Sequence, residues 1–148
     1  TVRDAYGNAQ LTGGLTVAFN TSGGTSAGNL TAVQDNNNGT YSATFTGTTA
    51  GTALTVSSTI NGSAVTTASG SVTVVPGPIS LAQSQLSVSN TTVASGSSVT
   101  LTLQTRDAYS NNITTGGQAV VFTYSGGSST GTISGDTDNS NGSYSAQF

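Results

Sequence analysis

The chain has 148 residues, of which only 5% are charged, and a formal net charge of −3. It holds no Cys, His, Met, Trp, Lys or Glu; its charges are Arg3, Arg106, Asp4, Asp35, Asp107, Asp136 and Asp138. That set supplies no basic patch to neutralise phosphates, so nucleic acid is not an expected partner. It also lacks the usual general bases and activated nucleophiles, so neither catalysis nor a cofactor is expected.

In chain order the apolar residues recur with a period of two. Leu15-Thr16-Val17-Ala18-Phe19 alternates as a half-buried strand should, and Tyr41-Ser42-Ala43-Thr44-Phe45 repeats the pattern. Leu54-Thr55-Val56-Ser57-Ser58-Thr59-Ile60, Val72-Thr73-Val74, Leu86-Ser87-Val88, Val99-Thr100-Leu101-Thr102-Leu103 and Val120-Val121-Phe122-Thr123-Tyr124 follow. β-Branched residues dominate these runs, and no window carries a helical stripe. The alternation separates this Ser-, Thr-, Gly- and Asn-rich chain from a disordered linker, which would lack it.

Turn signals part the strands. Asn38-Gly39, Asn61-Gly62 and Asn141-Gly142 predict hairpin turns, where Asn or Gly takes a positive φ. Gly13-Gly14, Gly23-Gly24, Gly116-Gly117 and Gly126-Gly127 predict further loops. Many short strands with such turns mean an all-β sandwich or barrel. Both prolines stand together in Pro76-Gly77-Pro78. Proline avoids strand interiors, so the predicted boundary lies here, with units 1–78 and 79–148. A hinge this short favours a semi-rigid rod over freely jointed beads.

The chain also repeats itself. Arg3-Asp4-Ala5-Tyr6-Gly7-Asn8 returns as Arg106-Asp107-Ala108-Tyr109-Ser110-Asn111. Asp35-Asn36-Asn37-Asn38-Gly39-Thr40-Tyr41 returns as Asp138-Asn139-Ser140-Asn141-Gly142-Ser143-Tyr144, at the same offset of 103. Residues 3–45 and 106–148 share 23 of 43 positions without a gap. An array of units acts more often by extending or presenting something than by catalysis.

The order of these motifs resembles the bacterial Ig-like repeats of invasin- and intimin-type adhesins, and also the filamin-type repeat. The resemblance covers essentially the whole chain, and it rests on Arg-Asp-Ala-Tyr, Val-x-Phe, Asp-Asn-x-Asn-Gly and the Val-Val-Pro-Gly-Pro exit. It implies tandem seven-stranded antiparallel Ig-like β-sandwiches. The first unit would lack its opening strands and the second its last two. Such motifs are turn and core positions, so they speak to fold more than to function. The implied function is a structural spacer or stalk of a microbial cell-surface adhesin or extracellular filament. A carbohydrate- or receptor-binding module and a filament subunit completed by strand exchange are the alternatives. The implied partners are neighbouring repeats, with a glycan or host receptor possible. The implied location is extracellular, and no apolar run approaches the ~20 residues of a membrane span.

Asp136 and Asp138 offer oxygen ligands in series, as Ca²⁺ prefers, but Asn141 stands where an EF-hand loop needs Gly, and the first copy has Val33 in place of Asp136. A hairpin turn explains both copies. Arg3-Asp4 and Arg106-Asp107 are expected to be structural. The Asp would cap the following turn, and the Arg would cover the sheet or meet an aspartate elsewhere. Tyr6 and Tyr109 are expected to close the end of the core, with ligand stacking as the alternative. Tyr41 and Tyr144 fall at core-phase positions. Tyr124 matches Thr21 in the first copy, which argues against a repeated ligand contact. Exposure of Tyr6, Tyr109 and Tyr124 separates a binding module from a spacer.

Overall fold

The computed structural model describes residues 1–67 and 69–148. It is all-β and antiparallel, in two compact units, Thr1–Val75 and Pro76–Phe148. The first holds β1 (Val17–Ser22), β2 (Ala27–Leu30), β3 (Gln34–Asp35), β4 (Tyr41–Ser42), β5 (Phe45–Thr49), β6 (Leu54–Ile60), β7 (Ser63–Ala64) and β8 (Gly70–Val72). The second holds β9 (Gln85–Val88), β10 (Thr100–Gln104), β11 (Thr137–Asp138) and β12 (Ser143–Gln147).

In the first unit β6 is the central strand. It pairs with β1 from Val17↔Ile60 to Ser22↔Thr55, and with β8 from Leu54↔Val72 to Val56↔Gly70. Leu54 is buried. Asn61 and Gly62 both take positive φ, 50° and 83°, and turn β6 back onto β7 as a two-residue hairpin requires. Asn61 also fastens the neighbouring strand: its Oδ1 accepts the Thr16 N–H at 3.0 Å, and its own N–H donates to Thr16 O at 2.7 Å. Short ladders β2–β5 and β3–β4 complete this unit.

In the second unit the strand order is β11-β12-β10-β9. Period two is visible in β12, where Tyr144 and Ala146 point into the core and are buried together with Val99. Tyr144 stands opposite Leu103 and Ala146 opposite Leu101, so the inward faces of β10 and β12 meet residue by residue.

Several predicted elements differ. The strand expected at 120–124 carries no ladder among the described residues, although its counterpart at the offset of 103 is β1. A strand forms only where a partner meets its backbone N–H and C=O groups, as β6 does for β1. The run 41–45 is divided into β4 and the start of β5. Asn38-Gly39 and Asn141-Gly142 are parts of longer loops, 36–40 and 139–142, with positive φ at Asn37 and Gly39 and at Ser140 and Gly142. Asp35 Oδ1 accepts the Asn37 N–H at 2.8 Å and Asn38 Oδ1 accepts the Thr40 N–H at 3.1 Å. These side-chain turns compete with a tight two-residue hairpin.

Candidate functional site

The repeated Arg-Asp-Ala-Tyr motif leaves β10 and doubles back on itself. Arg106 bridges to Asn112, and the Asp107 N–H donates to Asn111 O at 2.9 Å. Asp107 is only 3% exposed. Its Oδ1 accepts the N–H groups of Tyr109 and Asn111, both at 2.9 Å. Its Oδ2 accepts Asn111 Nδ2 at 2.9 Å and, at the same distance, the N–H of Gly77. One carboxylate thus joins the turn to the Pro76-Gly77-Pro78 segment. Burial opposes its charged form, but the Asn111 side chain and the N–H groups of Gly77, Asn111 and Tyr109 outweigh it. The Asp107 carboxyl is held below the usual carboxylate range.

Further bonds fasten the segment after the prolines. Ile79 bridges to Asp107, the Ser80 N–H donates to Arg106 O at 2.7 Å, and the Arg106 N–H donates to Ser84 Oγ at 3.1 Å. Ser84 Oγ in turn donates to Ser80 O at 2.8 Å. Composition and periodicity do not single out Ser84. Asn111 could have been found, because Asn8 occupies the same place in the first copy.

Asp4 repeats the turn geometry. Its Oδ1 accepts Tyr6 N–H at 2.9 Å and Asn8 N–H at 2.8 Å, and its Oδ2 accepts Asn8 Nδ2 at 2.9 Å. The Asn8 side chain does most to hold the Asp4 carboxyl below its usual range. The expectation that the Asp caps its turn describes both copies. The arginines meet oxygens that carry no full charge, not aspartates: Arg3 Nη1 donates to Gly7 O at 2.6 Å, and Arg106 Nε donates to Asn112 Oδ1 at 2.9 Å.

The tyrosines divide. Tyr144 is 2% exposed, and its hydroxyl accepts the Gln118 N–H at 3.1 Å. Tyr41 makes the same bond to the Leu15 N–H at 3.0 Å. Tyr6 and Tyr109 do not close the core as expected: they are 92% and 58% exposed. Each lies two residues past an Asp whose carboxylate takes the tyrosine N–H, and the turn so made carries the ring outward. Tyr124 is half exposed but engaged, with its ring 5.1 Å from that of Phe148 and its hydroxyl donating to Gly131 O at 2.8 Å.

Asp138 is a turn residue too. Its Oδ2 accepts the Gly117 N–H at 2.6 Å and its Oδ1 accepts the Ser140 N–H at 2.8 Å. Asp35 binds the Gly14 N–H at 2.6 Å in the first copy. That bond, with the Asn37 N–H next, lowers the Asp35 carboxyl. Among the described residues, Asp136 and Asp138 do not gather with further acids into a metal-binding group.

A profile of the family described as Invasin, domain 3 matches residues 1–77 and again residues 80–148. The chain belongs to the invasin domain 3 family. Among solved structures, this invasin-type chain is similar to the FdeC adhesin of Escherichia coli. The identity is 32% and the TM-score 0.58, over 97% of this chain and 46% of that one. It is similar also to invasin, a bacterial integrin-binding protein, at 28% identity and a TM-score of 0.55, over 98% of this chain and 28% of that one. It therefore spans less than half of either relative. No curated protein sequence matches it. The fold is Ig-like, and the chain is an adhesin-related domain pair of a non-enzymatic family.

Proposed function

We propose that this invasin-type chain is a spacer segment in the stalk of a bacterial cell-surface adhesin, built from repeats at 1–78 and 79–148. The observation that carries this reading is the Asp107 carboxylate bound to the Gly77 N–H. A linker tied at its centre to the unit that follows it keeps less freedom than a Pro-Gly-Pro hinge in solvent, and a spacer needs limited freedom to set reach. The adhesin relatives support a location at the cell surface.

Asp107→Asn tests the reading. Asn keeps one acceptor oxygen where Asp has two, so two of the four bonds to the carboxylate lose their acceptor, each at a cost of about 1–3 kcal/mol. Small-angle scattering of the full chain should then show a broader size distribution, and urea unfolding of the second unit an earlier midpoint. An unchanged scattering profile would remove the support for the spacer reading. The pH dependence follows from the lowered Asp107 carboxyl. Its contribution to stability is present above the usual carboxylate pKa of about 3.9 and is lost as pH falls through the lower folded value. Thermal melts between pH 5 and pH 2 should decline less steeply in Asp107→Asn than in the parent.

A second reading, a receptor- or glycan-binding module, is favoured by Tyr6 and Tyr109, exposed at equivalent places in the two copies. Exposed aromatic rings can stack on a sugar or anchor a protein contact. The double variant Tyr6→Ala, Tyr109→Ala touches no core residue. Under this reading it loses at least tenfold in binding to host cells or integrin while its melting temperature stays unchanged. Equal binding would rule out these rings as the contact.

A further inference from the structure

Asn stands directly before Gly at 38–39, 61–62 and 141–142. In such a pair the glycine amide nitrogen can attack the Asn side-chain carbonyl, because no Cβ on the second residue stands in the way. The sequence treats the three pairs alike, and the structure does not. Gly39 and Gly142 are buried. The Gly39 carbonyl accepts the Val2 N–H at 2.9 Å, and the Gly142 carbonyl accepts the N–H and the hydroxyl of Thr105. Asn61 and Gly62 are both exposed. Among the described residues, nothing beyond its chain neighbours lies within 4 Å of the point where a Gly62 Cβ would stand. The Asn61 side chain is also fixed: its Oδ1 accepts the Thr16 N–H at 3.0 Å, on the oxygen where negative charge develops when a nucleophile adds to Cγ. Asn38 and Asn141 have donors on the same oxygen, from Thr40 and Ser143, so access to the glycine nitrogen decides between the pairs. We propose that Asn61-Gly62 is a site of spontaneous deamidation, and that the isoaspartate it yields opens the β6–β7 hairpin.

The step needs only water and hydroxide. Hydroxide takes the Gly62 amide proton, which it reaches only at an exposed peptide. The electron pair on nitrogen forms a bond to Asn61 Cγ. The Cγ–Nδ2 bond breaks, and Nδ2 leaves as ammonia after taking a proton from water. Water then opens the five-membered imide. Breaking the bond from the Gly62 nitrogen to Cγ leaves an ordinary aspartate. Breaking the bond from that nitrogen to the main-chain carbonyl carbon leaves isoaspartate, whose main chain runs through Cβ and Cγ. Nothing is oxidised or reduced.

The two products act differently on the hairpin. Aspartate keeps an acceptor oxygen for the Thr16 N–H, and it tolerates the φ of 50° at position 61. Isoaspartate adds one atom to the main chain of a two-residue loop, where the two positive φ values set the geometry of the turn. It also draws into the main chain the carbonyl that holds Thr16. The pairs Ile60↔Ser63 and Thr59↔Ala64 make up the whole β6–β7 ladder, so losing the turn releases β7. The two bonds between residues 61 and 16 go with it, at the Val17↔Ile60 end of the β1–β6 ladder.

Peptide mapping by mass spectrometry of the full chain, aged in mildly alkaline buffer, tests the site. Deamidation should accumulate at Asn61 about tenfold or more faster than at Asn38 or Asn141, because Gly39 and Gly142 must first give up buried hydrogen bonds. In urea the three rates should draw together, since only the shared Asn-Gly sequence is left to set them. Equal rates in the folded chain, faster loss at Asn38 or Asn141, or a preference for Asn61 that survives in urea would overturn the proposal. An isoaspartyl methyltransferase identifies the product: its label should map to position 61 of the aged chain, and a label elsewhere or none at all counts against it. Asn61→Asp then isolates the effect of the extra main-chain atom. This variant should melt with the parent, and the isoaspartate fraction of the aged chain should melt earlier. If that fraction melted with Asn61→Asp, the hairpin would stay closed and the second half of the proposal would fall.

Discussion

Gly142→Ala is expected to destabilise the second unit by about 2–5 kcal/mol. Two costs combine. Gly142 has φ of +80°, where an L side chain crowds its own backbone, at about 1–2 kcal/mol. An added Cβ would also run into the backbone carbonyl of Ile113, which cannot swing aside as a side chain could. Relieving such an overlap by a backbone shift costs a further ~1–3 kcal/mol. The shift would disturb Gly142 O, which accepts both the N–H of Thr105 at 2.9 Å and its hydroxyl at 2.7 Å. Gly126→Ala separates the two costs. Its φ is +77°, but no atom lies within 4 Å of the added Cβ. Urea midpoints should therefore order as parent, then Gly126→Ala, then Gly142→Ala. Equal losses in the two variants would mean that the Ile113 carbonyl yields without penalty. Gly39→Ala should behave like Gly142→Ala, because the carbonyl of Gln10 stands in the same place in the first unit.

Tyr144→Ala is expected to cost about 3–5 kcal/mol, the range for removing a large buried aromatic side chain from a packed core. Tyr144 is the largest fully buried side chain among the described residues, packed between β10 and the loop that starts at Gln118. Tyr144→Phe isolates the hydroxyl. The ring stays, but the Gln118 N–H loses its acceptor, at about 1–3 kcal/mol. Thermal unfolding should place Tyr144→Phe between the parent and Tyr144→Ala. Tyr41→Phe should cost less, because Tyr41 is only half-buried and water can reach the Leu15 N–H once the hydroxyl is gone. If Tyr144→Phe melted with the parent, the bond to Gln118 would be dispensable and the ring alone would hold the loop.

Local chemistry made much of the fold readable. β6 spans the predicted Leu54–Ile60, because an unbroken run of alternating and β-branched residues has few other solutions. Every predicted Gly-Gly loop contains a glycine at positive φ. The Asp4 and Asp107 caps were readable as well, since a carboxylate two residues before an N–H closes the same small ring wherever it occurs. Less of the candidate site was accessible. That Asp107 also takes the Gly77 N–H depends on a contact across thirty residues, which no local pattern records. Tyr6 and Tyr109 were misplaced for a related reason: hydrophobicity suggests burial, but the direction of a ring on a turn depends on which neighbours stand beside it.

The sequence by itself determined the repeat at an offset of 103, the all-β period of two, the positions of the turns and the family resemblance. Each of these is a property of neighbouring residues, or of one segment compared with another. The tertiary structure alone decided that β6 is the strand lying beside β1 and that Asp107 reaches Gly77. A strand needs a partner for its backbone N–H and C=O groups, and β6, which supplies it to β1, lies far from it along the chain. Pairing is non-local, so no pattern among neighbouring residues records it.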